Sequence, residues 1–230
     1  VAAPTVAVLQ SNYIPWKGYF DIIRDADLFV FYDDVQFTKN DWRNRNRIKT
    51  PKGTEWITVP VGQDISRLIC EVTIPDARWA KVHWKTLSQN YARAPHFAHY
   101  RELFESIYLG REWKTLSELN RHLIEAISRE LGLATRFADS RDYALQGSAS
   151  DRLLRLLVKT GAKRYVSGPS ARDYLDEAAF AGAGIEVIYK SYEGYPEYPQ
   201  LHPPFEHRVS IVDVLFNCGA RSSEVIWGWR

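Results

Sequence analysis

The first 34 residues constrain the fold more than any other part of this chain. Thr5-Val6-Ala7-Val8-Leu9 is a short apolar run of the kind that forms a buried strand. It stops at Gln10-Ser11-Asn12, and Pro15 to Ile23 then opens a helix with proline near its first turn. Leu28-Phe29-Val30-Phe31-Tyr32 is a second buried-type strand, closed by Asp33-Asp34. Strand, loop, helix, strand is the rhythm of a parallel α/β sheet.

The same rhythm returns in the C-terminal half. Ser150 to Thr160 reads as a helix capped by Ser150 or the neighbouring Ser148, and it leads through Gly161 to a strand at Arg164-Tyr165-Val166-Ser167. Ser170 to Phe180 reads as a further helix, followed by the strand Ile185–Tyr189 and a last helix from Ser210 to Cys218. Between the halves, Glu55–Val61 favours a strand after the turn signal Pro51-Lys52-Gly53, and residues 71–75 suggest one more strand. Residues 77–109 look helical with a break at Pro95. Residues 115–131 place Leu116, Leu119, Leu123, Ile127 and Leu131 on one helix face, with Thr115 and Glu118 as a capping box and Gly132 as the stop. The expectation is one α/β domain over residues 1–230, its two halves sharing a sheet, with a Trp-rich helical insertion at about 77–131.

Composition narrows the class. A chain of 230 residues buries roughly 70% of its unfolded surface and needs neither disulfide nor metal to fold. Cys70 and Cys218 are too few and too widely separated for a disulfide scaffold or a cysteine zinc site and read as buried thiols in a reducing compartment. The absence of Met suggests a trimmed N-terminus. No apolar run approaches the roughly 18 residues of a membrane span, and no leader pattern opens the chain, so a soluble, cytoplasmic protein is expected. With 30 Lys+Arg against 28 Asp+Glu, the net charge of +2 gives no general attraction for nucleic acid or membrane.

Three constellations carry chemistry. In the first, Gln10-Ser11-Asn12-Tyr13-Ile14-Pro15-Trp16-Lys17-Gly18-Tyr19-Phe20 follows the first strand and opens a helix. In an open α/β sheet, ligands bind at the strands' carboxyl ends, and free N–H groups there suit phosphate or carboxylate. Lys17 would add a point charge and Gly18 would permit close backbone approach, although Tyr13, Trp16 and Tyr19 also suit plain packing. The second runs from Asp33 and Asp34 through Gln36, Lys39 and Trp42 to Arg43, Asn44, Arg45, Asn46 and Arg47. Adjacent carboxylates at a strand end point to opposite sides, so at most one enters a site. Arg43, Arg45 and Arg47, if extended, share a face and can grip phosphate or carboxylate through forked hydrogen bonds; Asn44 and Asn46 take the other. The Asp pair is compatible with magnesium, but no metal ligands are assigned. The plainer alternative is a solvated charged hairpin. The third, Ser167-Gly168-Pro169-Ser170, ends a strand and forms a second anion cradle, although Ser170 with Asp173 is also a capping box.

Other patterns say less. The histidines at 83, 96, 99, 122, 202 and 207 show no metal-ligand spacing, and neither a Walker loop nor a serine-nucleophile elbow occurs. Tyr192 to Phe205, rich in Pro and Tyr, is too long for a turn and suggests an active-site lid. Asp213 reads as the cap partner of Ser210.

Together these stretches (LQSNYIPWKGYFDII, DADLFVFYDDVQFTKNDWRNRNRIKTPKGTEWITVPV, RYVSGPSARDYLD with GIEVIYKSY, and EYPQLHPPFEHRVSIVDVLFNCG) resemble the WbqC-like family of bacterial proteins from Val6 to Gly219. That resemblance implies a context of surface-polysaccharide, glycan or secondary-metabolite assembly. Pro15-Trp16-Lys17-Gly18-Tyr19 is also similar to the P-H-x-G-H signature of nucleotidylyltransferases and pantothenate synthetase, and Ser167 to Arg172 to their later phosphate loop. The likeness implies a Rossmann-like, mostly parallel sheet with an inserted helical, Trp-rich segment. It also implies ATP with magnesium as one cofactor option. Both motif histidines are replaced here, by Trp16 and Tyr19.

The leading expectation is an enzyme moving an acyl or aminoacyl group to an amine, such as an amino sugar on a nucleotide carrier. In it Asp33 or Asp34 is the general base, Lys17 assists, and the arginines bind the donor. A nucleotidylyltransferase or ATP-dependent ligase is the first alternative. The second is a non-enzymatic protein whose Trp-rich helices dock on a partner, which requires Trp79, Trp84 and Trp113 to be exposed. The expected ligand is a small phosphate- or carboxylate-bearing molecule.

Overall fold

A computed structural model describes residues 3–147 and 149–229; Ser148, one of the two cap candidates, lies outside them. The parallel strands are β1 (Thr5–Leu9), β2 (Leu28–Phe31), β5 (Arg136–Asp139), β6 (Arg164–Ser167) and β7 (Glu186–Tyr189). They form one five-stranded sheet in the order β5-β2-β1-β6-β7, every pair parallel. This is a Rossmann-like α/β fold. The chain first winds to one side of β1 and later to the other, so the order reverses between β1 and β6. A crevice opens at such a reversal beyond the strands' carboxyl ends.

Side-chain alternation along the strands sorts the core into two layers. Ala7, Phe29 and Phe31 point to one face, where α1 (Lys17–Arg24) and the insertion pack; Val6, Val8 and Val30 point to the other, under α5 (Ala149–Lys159) and α6 (Glu177–Gly182). The segment between β2 and β5 contains an antiparallel hairpin, β3 (Arg45–Thr50) with β4 (Gly53–Thr58), and the helices α2 (Arg78–Tyr91), α3 (Phe97–Leu109) and α4 (Leu116–Glu130). The helix α7 (Ile211–Cys218) packs into the same core through Phe216, which meets Tyr91, Phe97 and Phe104. The α4 capping box forms as the sequence suggests: Thr115 Oγ1 accepts from the Glu118 N–H, and Glu118 reaches back to the Thr115 N–H.

Three expectations need correction, and one strand is new. Residues 71–75 form no strand; only a single bridge joins Thr73 to Thr115. The stretch 170–180 is not one helix but a 3₁₀ turn at Pro169–Asp173 followed by α6, whose cap is Asp176, so the Ser170–Asp173 box does not form. Strand β5 is an addition at the sheet edge. Asp213 does not cap α7: its carboxylate accepts from Tyr91 and Tyr198 hydroxyls and from Gln200.

Candidate functional site

The loop after β1 is held by side chains from distant segments. Ile14 sits at φ +35°, a costly conformation for a β-branched residue. Its carbonyl accepts from Asn46 Nδ2 at 2.9 Å and from Ser210 Oγ at 2.7 Å, and Asn46 also donates to the Tyr13 carbonyl. Strain of this kind persists only where the surroundings impose it, and the imposition here comes from β3 and the α7 cap. From the other side, Asp33 accepts from the Ser11 N–H at 2.8 Å and from the Ser117 hydroxyl of α4.

Two adjoining cavities result. The smaller, about 350 Å³, occupies the β1/β6 crevice and brings the three constellations together: Gln10, Asn12 and Trp16 from the first, Trp42 and Arg43 from the second, and Ser167, Gly168 and Ser170 from the third. Arg43 is half-buried; it donates to Asn12 Oδ1 and pairs with Asp41 at 3.3 Å, while its buried Nε has no hydrogen-bond partner. Burial lowers its pKa, so this guanidinium is poorly hydrated and suited to an anion. The larger cavity, about 790 Å³, shares Asn12, Trp16, Trp42 and Tyr192 with the first and adds Arg47, Trp56, Tyr195, His207 and Arg208. Among the described residues, no Asp or Glu lines either cavity.

The remaining sequence candidates lie elsewhere. Asp33 is fully buried, and burial raises its pKa against the bonds that favour its charge. Asp34 turns to the opposite face, as alternation requires, and binds Arg152 and Ser140. Neither lines either of these two cavities. Gly18 does not admit a ligand: a Cβ there would sit 2.3 Å from the Trp16 indole, so the glycine makes room for that ring. Tyr13 is core, its hydroxyl between His83 Nδ1 and Tyr108. Asn44 bonds the Val59 carbonyl, Gln36 the Ile65 carbonyl and Lys39 the Gln63 side chain. Arg43 precedes β3, so only Arg45 and Arg47 share the strand face, and Arg45 stacks on Trp56 at 4.2 Å.

Lys17 is buried beside the larger cavity. Its ammonium lies 3.0 Å from His207 Nδ1 and over the rings of Tyr195 and Tyr198. Desolvation brings its pKa down to about 8, and burial together with the Lys17 charge lowers that of His207. An ammonium only donates, so His207 Nδ1 accepts and the ring hydrogen sits on Nε2. The sequence did not mark Trp56 in the hairpin or His207 and Arg208 in the 192–208 strap, and it marked Tyr192 and Tyr195 only as part of the Tyr192–Phe205 stretch. The strap's length was its only signal. It is fastened through Asp213, through Lys49 to the Pro204 carbonyl and through Leu201 to Asn217.

The fit of a nucleoside triphosphate at the Pro15–Tyr19 motif is poor. Trp16 presents an indole, the Tyr19 hydroxyl is spent on the Gln10 carbonyl at 2.9 Å, and Lys17 turns to His207. No step is therefore derived through ATP. Trp79, Trp84 and Trp113 are 6%, 7% and 6% exposed, which makes them core and removes the main support for a Trp-rich docking surface. No helix among the described residues is long and apolar enough to cross a membrane.

The profile of the WbqC-like protein family matches residues 10–225. The chain belongs to the WbqC-like protein family. An uncharacterized protein of Mycobacterium tuberculosis, Rv1507c, is 49% identical over 223 residues, covering 96% of each chain. The family match spans all three cavity-lining segments, from Gln10 through Arg43 to Ser170, and the strap residues His207 and Arg208.

Proposed function

We propose that this protein is a biosynthetic transferase acting on a phosphate-bearing small molecule, and that it moves an acyl or aminoacyl group to an amine of that molecule. The observation that carries the reading is a single cleft assembled from four distant segments, lined by Arg43, Arg47, Arg208 and His207 and, among the described residues, by no carboxylate. The phosphate lies in the β1/β6 crevice against Arg43 and the Ser167–Ser170 corner. A glycan or specialised-metabolite pathway suits the family, and a nucleotide-linked amino sugar is the substrate class that best combines phosphate, ring and amine.

The chemistry differs from the carboxylate-base scheme suggested by the sequence. An amine among guanidinium groups loses its proton more readily, because like charge disfavours the ammonium. The neutral nitrogen then attacks the acyl carbonyl carbon. A C–N bond forms, the bond to the donor's leaving group breaks with its electron pair, and the nitrogen's proton passes to water. His207, with Nδ1 held by Lys17, offers Nε2–H to the oxyanion that develops. Asp33 acts at one remove, by holding Ser11 and so the loop. The test is incubation with acyl donors and nucleotide-linked amino sugars, read by product mass. A mass gain equal to the acyl group supports the reading, and its absence across acyl, aminoacyl and carrier-bound donors contradicts it.

A further inference from the structure

The hairpin and the loop that leads into it leave two indoles exposed. Trp42 is 42% exposed and Trp56 46%, with ring centroids 5.4 Å apart, and both line the larger cavity. Exposed aromatic pairs on a cavity wall offer flat faces for stacking. Two guanidinium groups flank the Trp56 ring: Arg45 lies 4.2 Å and Arg47 5.8 Å from its centroid. Both side chains leave a buried Nε without a hydrogen-bond partner.

The Glu206 carboxylate accepts from the Arg208 backbone N–H at 2.7 Å, but the guanidinium groups around this platform form no ion pair among the described residues. Among the described residues, no carboxylate lies within ion-pairing distance of Arg45, Arg47 or Arg208, whereas Arg43, Arg121, Arg141 and Arg152 each have one. Arg47 and Arg208 line the cavity from the hairpin and from the strap. Like charges gathered without counter-charge are destabilising unless a ligand supplies it. Guanidiniums paired with indoles suit a ring that carries an anionic group.

We infer that the larger cavity is a separate subsite for a ring bearing a negatively charged substituent, the ring stacked on Trp42 and Trp56 and the anionic group held by Arg47 and Arg208. This inference rests on the reading of the cleft as a substrate site, and it adds that the ligand carries a second anionic group beyond the phosphate in the crevice. A nucleoside phosphate, a sugar phosphate and a uronic acid share that chemistry.

Titration calorimetry and tryptophan fluorescence with uridine 5′-monophosphate, glucose 1-phosphate and glucuronate test it and separate the three sources. At least one should bind with a Kd below about 1 mM. Its neutral counterpart, uridine or glucose, should bind at least about tenfold more weakly, as loss of a charge-assisted contact implies. Trp56→Ala and Arg208→Gln should each weaken binding about tenfold or more, Trp56→Phe should restore it, and Arg43→Gln should leave it within about twofold. Circular dichroism confirms that each variant is folded. Absence of binding by all three probes, equal binding of the neutral rings, or indifference to both Trp56→Ala and Arg208→Gln would overturn the inference. Pyrophosphate provides the separate control. If pyrophosphate binds and is lost in Arg43→Gln while the ring probes fail, only this inference falls. If the ring probes bind and pyrophosphate does not, the crevice reading falls and the subsite stands.

Discussion

The Lys17 ammonium and His207 Nδ1, 190 residues apart in the chain, meet at 3.0 Å beneath the strap. Tyr195, Tyr198 and Phe205 surround the amine, and no carboxylate of the described residues pairs with it. The pair ties the first turn of α1 to the strap and fixes which imidazole nitrogen carries the hydrogen.

Burial and, after it, the Lys17 charge hold the His207 pKa down; replacing Lys17 by Met removes the second cause, while Glu197 and Glu206, which act in the opposite direction, remain. The His207 pKa should therefore rise, a shift read from its imidazole proton resonances across pH. An unchanged or lower value would show that the two groups do not interact. Stability gives an independent check. The folded amine titrates near 8 and the unfolded one near 10.5, so the unfolded state binds more protons between those values. The stability of the native protein relative to Lys17→Met should accordingly rise from pH 8 to 10.5, measured by urea denaturation.

Asp33→Ala should destabilise the protein by about 1–3 kcal/mol, since it leaves the Ser11 N–H and the Ser117 hydroxyl without their buried acceptor. Asp33→Asn keeps one carbonyl oxygen for Ser11 and should retain most of the stability and a substantial part of any turnover. A collapse of turnover in Asp33→Asn with ligand affinity and stability intact would return the carboxylate to a proton-transfer role.

Gly18→Ala should move the Trp16 indole, which a new Cβ would meet at 2.3–2.8 Å. Overpacking of this kind costs about 1–3 kcal/mol. The displaced ring lines both cavities, so pyrophosphate and ring probes should both bind less well; unchanged stability and affinity would show that the ring relocates freely.

The parts of this molecule that read plainly from sequence are those where burial and period agree. Thr5–Leu9 and Leu28–Phe31 are apolar because both faces of the sheet are covered, and α4 announces itself by its leucine stripe and its Thr115 cap. Strand β5 hides because it is a short edge strand: Arg136-Phe137-Ala138-Asp139 is mostly half-exposed and charged at both ends. Residues 170–180 misread because a cap pattern at Ser170 satisfies helix rules locally, while Pro169 begins only a 3₁₀ turn and Asp176 starts the real helix.

The site divides in the same way. Gln10, Asn12, Ser167 and Gly168 were legible because they lie at or just beyond strand ends, and strand order decides that those ends are neighbours; Trp16 showed as the start of the first helix and Arg43 as part of an Arg/Asn/Trp-rich segment. Asp33 and Asp34 sit at a strand end too, yet alternation drives one toward α4 and the other toward α5. His207 and Arg208 carried no periodic or spacing signal. They reach the cleft only because Tyr198, Gln200 and Asn217 fasten the strap, and tertiary bonds of that kind leave no local pattern.

Pyrophosphate titration followed by backbone amide resonances tests the central claim most directly. If the three segments border one anion site, the amides of Asn12, Arg43 and Gly168 should shift together, with one common Kd, and Arg43→Gln should abolish all three responses. Shifts confined to one segment, or responses that survive Arg43→Gln, would contradict it.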